Sequence, residues 1–218
     1  KFLGDGIMFF YSAPRDNPQH AIASVRTALE MQHAMVDFNR RLHSQDLPQV
    51  SVRIGISTGN MVVGNAGSIG HVVSDQDRAS DYTVLGDSVN LGARLESANK
   101  YTGTAILIND TCKGQLGDIF LLRPVGKLQV VGKSESIMTW EPLCLAGDAT
   151  DRLTQVATLS EPIVDMFAKG LFAACDQAIV EYEKTLGDDK FSAFYHRQCD
   201  RHREHPDEFN GCIVLEAK

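Results

Sequence analysis

The run Asp81-Tyr82-Thr83-Val84-Leu85-Gly86-Asp87-Ser88-Val89-Asn90-Leu91-Gly92-Ala93-Arg94-Leu95-Glu96 changes its period part-way along. Tyr82, Val84 and Leu85 suit a pleated, half-buried strand. Gly86-Asp87-Ser88 reads as a tight turn followed by a helix cap, and Val89, Ala93, Leu95 and Glu96 continue as helix. Asn90 and Arg94 are four apart, so a helix sets them on one face, one turn apart. An amide and a guanidinium stacked this way suit an anionic ligand. The arginine can fork onto phosphate oxygens and the amide can hold a sugar oxygen. Such a pair alone would equally describe a solvated helix face, so the remainder of the chain has to discriminate.

A second unusual stretch opens the sequence. Lys1-Phe2-Leu3-Gly4-Asp5-Gly6-Ile7-Met8-Phe9-Phe10-Tyr11 reads as strand, Gly-Asp-Gly turn, strand, a hairpin signature. Asp5 is then a turn former, or a carboxylate that flanking glycines leave open to a cation. After a turn-rich connection, Ile22, Val25, Ala28, Leu29, Met31, Met35, Val36, Phe38 and Leu42 form an apolar stripe that predicts a helix over residues 20–43. His33 and His43 fall on its surface. Val50 to Ser57 alternates as a strand, Gly59-Asn60 reads as a hairpin turn, and Met61 to Asn65 as the returning strand. Gly67 to Ser80 is a polar surface loop. Strands are expected at Ala105–Ile108, around Phe120–Leu122, at Lys127–Val131 and at Ile137–Pro142, with a short helix near Thr111 and a Gly132-Lys133 turn.

The chain has 218 residues, enough for a substantial core, and a formal charge of −7. That charge argues against a nucleic-acid binder, which shows a basic patch or stripe. Cys112, Cys144, Cys175, Cys199 and Cys212 lack close paired spacing and read as reduced, cytosolic thiols rather than a disulfide framework. No apolar run approaches the roughly 20 residues of a membrane span. Lys1 falls inside a strand and is not an initiator Met, so the sequence is expected to be part of a longer protein, whose membrane attachment is open.

The two unusual stretches together resemble the class III nucleotidyl cyclases, the adenylate and guanylate cyclase family, over about the first two-thirds of the chain. In that family a base-selecting residue is followed seven positions later by an Asn and four after that by an Arg; here these are Thr83, Asn90 and Arg94. The opening hairpin carries a metal-binding Asp, matching Asp5, with the second base-selecting residue four before it, matching Lys1. Arg53-Ile54-Gly55-Ile56, followed by Gly59, Gly64 and Asn65, also follows the family pattern, with glycines expected to allow close backbone approach.

The resemblance implies an α+β fold: a ferredoxin-like βαββαβ sheet with helices packed on it, in a cyclase domain over residues 1–145. It implies conversion of ATP to cyclic AMP and pyrophosphate with two Mg²⁺ (or Mn²⁺) ions. One metal carboxylate is Asp5 and the other belongs upstream of Lys1. Arg94 would stabilise the transition state, Asn90 orient the ribose, and Lys1 and Thr83 select adenine. A guanylate cyclase would show Glu and typically Cys at the last two positions. The family works as a head-to-tail dimer with shared sites, which implies a homodimer, commonly under an upstream sensor. Lys127 and Lys133 are further candidates for the triphosphate.

Residues 146–160 read as a linker and residues 161–218 as an α-helical hairpin resembling one tetratricopeptide-like repeat. Val164, Phe167, Leu171, Ala174, Ala178 and Tyr182 mark one helix or a bent pair; Phe191, Phe194, Tyr195 and Cys199 mark another. Similar bacterial tails end in a Trp/Phe-x-Gly segment, here Phe209-Asn210-Gly211. His196, His202 and His205 with Cys199 make a weakly spaced zinc alternative. The competing functional reading is a catalytically silent cyclase-homology module that binds nucleotide or a partner. A diguanylate cyclase is disfavoured because its Gly-Gly-Asp/Glu-Glu-Phe signal is absent.

Overall fold

The structure, a computed structural model, describes residues 1–66, 81–129 and 136–215. The expected loop at Gly67–Ser80 and the Gly132-Lys133 turn lie outside the described residues. The elements are β1 (Phe2–Leu3), β2 (Gly6–Ile7), α1 (His20–His43), β3 (Ile54–Ile56), β4 (Val62–Ala66), β5 (Asp81–Leu85), α2 (Asp87–Thr102), β6 (Ile106–Asn109), α3 (Asp110–Lys113), β7 (Phe120–Gln129), β8 (Ile137–Leu145), α4 (Asp151–Ala168), α5 (Phe172–Leu186), α6 (Lys190–Glu204) and β9 (Ile213–Val214). The architecture is mixed α+β, as expected. No helix among the described residues is long and apolar enough to cross a membrane.

The central sheet runs β3-β6-β8-β7-β9, and β1-β2 and β4-β5 form two separate ladders. The strands flanking Gly59-Asn60 were expected to pair as a hairpin. Instead β3 pairs in parallel with β6, and β4 pairs antiparallel with β5. The expected strands around 120 and 127 are one strand, β7, irregular between Leu121 and Leu122 and between Pro124 and Gly126.

β6 explains how one sheet carries two cores. Ile106 and Ile108 face a cluster with Ala21, Val25 and Ala28 of α1, whereas Leu107 faces Leu95 and Ala98 of α2. An apolar run buried on both faces is the sequence signature of such a strand. Gly55 in β3 lets α2 lie against the sheet. A Cβ there would fall 2.1 Å from the Gly92 carbonyl oxygen and 2.2 Å from the Glu96 nitrogen. Gly59 of the same motif is crowded too, a Cβ there falling 3.1 Å from Ser88 Cβ, whereas Gly64 has nothing within 4 Å, so close approach accounts for Gly55 and Gly59 and not for Gly64.

In the C-terminal region helix reaches into the expected linker, and the stretch expected as one helix or a bent pair is two helices, α4 and α5. Residues 151–160 already belong to α4, capped by Thr150 Oγ1 accepting from the Leu153 amide. Ala157, Ser160, Ile163, Val164 and Phe167 bury one face of it. Three helices therefore follow the sheet, with Gly170 (φ +72°) between α4 and α5. Their apolar faces join the cluster of Leu95, Leu107, Val125 and Leu128. The chain then returns as β9, which pairs in parallel with the end of β7. Phe209 completes an aromatic group with Phe167, Phe172 and His202, its ring 5.0 Å from Phe172.

A buried polar network joins the two regions. Arg123 of β7 gives Nε and Nη2 to Glu141 Oε2 of β8, each at 2.7 Å, and Nη1 to the Tyr182 hydroxyl at 3.3 Å. Tyr182 donates to Asp189, the residue capping α6. Burial pushes the Tyr182 phenol up to about 12, so it stays a donor at neutral pH. Glu141 also accepts from the Ala105 amide, and the Arg123 guanidinium lies 4.4 Å above the Phe191 ring. Arg123→Ala leaves Glu141 buried without its partner and should cost about 3–5 kcal/mol in urea unfolding. Arg123→Met with Glu141→Leu should recover most of that loss. A single-variant loss under about 1 kcal/mol would show that the pair is not needed.

Candidate active site

Thr83 stands partly buried in the middle of β5, opposite Gly64 of β4. Directly after the strand, Gly86 takes φ +153°, and a Cβ there would meet Asn60 and Met61 within 3.4 Å. Backbone conformation and crowding both require glycine at this corner. Its carbonyl accepts from the Val89 and Asn90 amides, which starts α2 at once. The expected cap by Asp87 or Ser88 is not formed: the cap residue is Gly86, and Ser88 Oγ reaches the Asn60 carbonyl at 3.4 Å.

α2 is fixed through its opposite face. Asn99 is buried; its Nδ2 donates to the Ile54, Leu95 and Glu96 carbonyls, and its Oδ1 accepts from Thr104. With Leu95, Ala98 and Asn99 turned inward, Asn90 is left exposed and Arg94 partly buried, one turn apart as expected. Arg94 Nη1 is enclosed and, among the described residues, has no hydrogen-bond partner. An enclosed guanidinium nitrogen without an acceptor is costly, and an anionic oxygen arriving at this face would satisfy it.

Lys1 and Asp5 lie on a ladder of their own. Phe2 pairs with Ile7 and Leu3 with Gly6, and Gly4 takes φ +63° in the turn. Asp5 is exposed at the tip. Beyond β2 the chain approaches the other ladder: the rings of Phe10 and Tyr82, the neighbour of Thr83, are 6.1 Å apart. Tyr11 donates to Thr27 Oγ1 at 2.7 Å, which ties this connection to α1. One continuous strand-turn-helix unit thus holds Thr83, Asn90 and Arg94, and a separate hairpin holds Lys1 and Asp5. Among the described residues no group of three or more His, Cys, Asp or Glu could hold a metal ion. Asp5 supplies an accessible carboxylate, one ligand of the six a magnesium ion takes.

Ser57, which sequence reasoning passed over, has an enclosed Oγ without a hydrogen-bond partner among the described residues. It follows β3 where the chain lies against α2. Its Cβ is 3.9 Å from the place of a Cβ on Gly92. Thr58 beside it is clamped by Asn109, which accepts from its amide at 3.1 Å and donates to its carbonyl at 3.2 Å. The only sequence signal was a polar residue at the end of an apolar strand. In the weakly spaced zinc alternative, Cys199 and His202 serve packing instead. His202 stacks on Phe172 at an interplanar angle of 13°, Cys199 is fully buried, and His196 faces Asp176 and Glu183. Lys127 is exposed on β7; Lys133 lies outside the described residues.

Residues 1–141 match the family model described as the adenylate and guanylate cyclase catalytic domain. The chain belongs to the class III adenylate and guanylate cyclase family. Among relatives of this cyclase domain, adenylate cyclase 1 of Rhizobium meliloti (strain 1021) is 33% identical over 141 residues, covering 65% of this chain and 20% of that protein. The adenylate cyclase of Anabaena cylindrica is 35% identical over 149 residues, covering 65% and 27%. The chain therefore spans about a quarter or less of these relatives. The adenylyl cyclase CyaB from P. aeruginosa superposes with a TM-score of 0.57 at 28% identity, covering 69% of this chain and 71% of that one. The guanylyl cyclase Cya2 superposes with 0.56 at 31% identity over the same shares. One structural relative is thus an adenylyl and the other a guanylyl cyclase, so the fold does not choose the base. The family generally uses divalent metal ions.

Proposed function

We propose that this cyclase domain converts ATP to 3′,5′-cyclic AMP and pyrophosphate at sites shared across a homodimer, in intracellular signalling. The observation that carries the reading is the enclosed, partnerless Nη1 of Arg94, one turn from Asn90 on a helix launched directly from the strand of Thr83. Arg94 would neutralise charge gathering on the α-phosphate as the ribose 3′-hydroxyl attacks, and Asn90 would hold the ribose in line. Lys1 can donate to adenine N1, and Thr83 can accept from the 6-amino group. Asp5 would hold a divalent ion, which supplies charge neutralisation and activation of the hydroxyl when bound. The family's two ions need a further carboxylate beyond those described.

Support for the dimer comes from the two short ladders. Their cross-strand pairs expose unusually large apolar side chains: Phe2 at 81% and Ile7 at 59% on one, Val62 at 74% and Leu85 at 61% on the other. Two-stranded ladders with apolar faces in water invite a partner. A sensor upstream in the parent protein that turns one subunit against the other would switch catalysis without touching the site.

The test of base choice is an assay of the full-length protein with ATP and with GTP, in Mg²⁺ or Mn²⁺. Cyclic AMP is the expected product. Lys1→Glu combined with Thr83→Cys should move the ATP-to-GTP preference toward GTP by about tenfold or more, since unmatched buried hydrogen-bonding groups discriminate strongly. Cyclic GMP as the main wild-type product would overturn the choice of adenine.

A further inference from the structure

A cleft of about 330 Å³ opens between α1, residues 50–53, the C-terminal end of α2 and the start of α6. It is separate from the candidate active site: Lys1, Asp5, Thr83, Asn90 and Arg94 are not among the residues that line it. Its charge is the reverse of the chain's. Arg53, Lys100 and Lys190 line it and no acidic residue does, in a protein with 28 Asp and Glu against 21 Lys and Arg. Among the described residues neither Lys100 nor Lys190 forms an ion pair with a carboxylate. The acid next to Lys190, Asp189, is already engaged by the Tyr182 hydroxyl and the Ser192 amide. Arg53 is held by Glu96 at 2.9 Å, which fixes its stem at the cleft.

The walls are preformed. Asn39 of α1 both donates to the Val50 carbonyl and accepts from its amide at 2.8 Å, and Gln32 donates to the Val52 carbonyl at 2.8 Å. These bonds stitch residues 50–52 along the helix. Met35, Val36 and Val52 supply an apolar side, with Val36 57% exposed. At the other end α6 abuts the C-terminus of α2: a Cβ on Gly103 would fall 2.4 Å from Lys190 Cβ. Two ammonium groups facing an apolar wall, with the Arg53 charge already offset by Glu96, are complementary to a dianion that carries an apolar body. The volume suits a small organic molecule.

The geometry points to a binding site in this cleft for a small phosphate monoester, its phosphate between Lys100 and Lys190 and its apolar body against Met35 and Val52. Lys100 lies on the helix that carries Asn90 and Arg94, and Lys190 belongs to the C-terminal helices. A ligand here would clamp those helices to the helix of the active site.

The test titrates phenyl phosphate into the full-length protein by calorimetry, beside Lys100→Gln/Lys190→Gln and Arg94→Ala. Both lysines are exposed, so the double variant should keep the wild-type melting temperature. Saturable one-to-one binding is expected, weakened about tenfold or more in the double variant through loss of two charge-assisted contacts, and unchanged in Arg94→Ala. No binding to the wild type, equal binding to the double variant, or loss in Arg94→Ala would each overturn the site. Inorganic phosphate should bind more weakly than phenyl phosphate; equal affinity would refute the apolar half of the proposal. Cyclase activity is not the readout, so failure of this site and failure of the catalytic reading stay distinguishable.

Discussion

Ending the chain at residue 150 is expected to abolish cooperative folding of the cyclase region. Leu95, Leu107, Val125 and Leu128 are fully buried, and the cover of their cluster is built from α4, α5, α6 and β9. Exposing four such side chains costs about 1.5–3 kcal/mol each, or about 6–12 kcal/mol together. Domain stabilities are about 5–15 kcal/mol in total. The same deletion removes Tyr182 and Phe191 from around Arg123, and the bond from the Tyr195 hydroxyl to the Val125 carbonyl at 2.7 Å. Thermal unfolding of the full-length protein and of its truncated form checks this. A truncated protein whose cyclase region melts cooperatively within a few degrees of the intact one would show that the C-terminal helices are an independent appendage.

Arg94→Ala should lower kcat by about a hundredfold to a thousandfold, the range for loss of one group that stabilises developing charge. KM for the nucleotide should move far less, because the interaction strengthens only as charge gathers in the transition state. Stability should stay within about 0.5 kcal/mol of wild type: Nη1 makes no hydrogen bond that the substitution would break. Steady-state kinetics and a melting curve on one preparation separate the outcomes. A full-rate variant would remove Arg94 from the chemistry, and a variant that is slow only because it unfolds would reduce it to a structural residue.

The parts of the fold that sequence made legible were those with a strong local period. The stripe from Ile22 to Leu42 marked α1 at both ends, and the run Ile106-Leu107-Ile108 marked a strand buried on both faces. The corner at Gly86 was visible because a strand pattern meets a helix pattern there. The cap was not, since Gly86 itself holds the first amides and Ser88 is drawn to Asn60. Pairing was less legible than element type: Gly59-Asn60 looks like a hairpin turn, yet long-range contacts assign β3 to β6 and β4 to β5. The start of α4 was lost among Asp148, Thr150 and Asp151, polar residues that serve as well for a cap as for a linker. β9 is two residues long, too short to carry a period. At the site, sequence placed Thr83, Asn90 and Arg94 on one unit because their spacing is local. Nothing local could reveal the enclosure of Arg94 Nη1 or of Ser57 Oγ, which depends on elements remote in the chain.

The most direct test of the central claim mixes two inactive proteins. Full-length Asp5→Ala and full-length Arg94→Ala, each purified alone, should form little cyclic AMP from ATP. If each active site takes Asp5 from one subunit and Arg94 from its partner, a heterodimer contains one site with both residues intact. Co-expression should then restore about a quarter of the wild-type rate, because half of the dimers formed at random are mixed and each has one of its two sites complete. No recovery in a mixture shown to contain the heterodimer, or full activity in either single variant, would contradict the account.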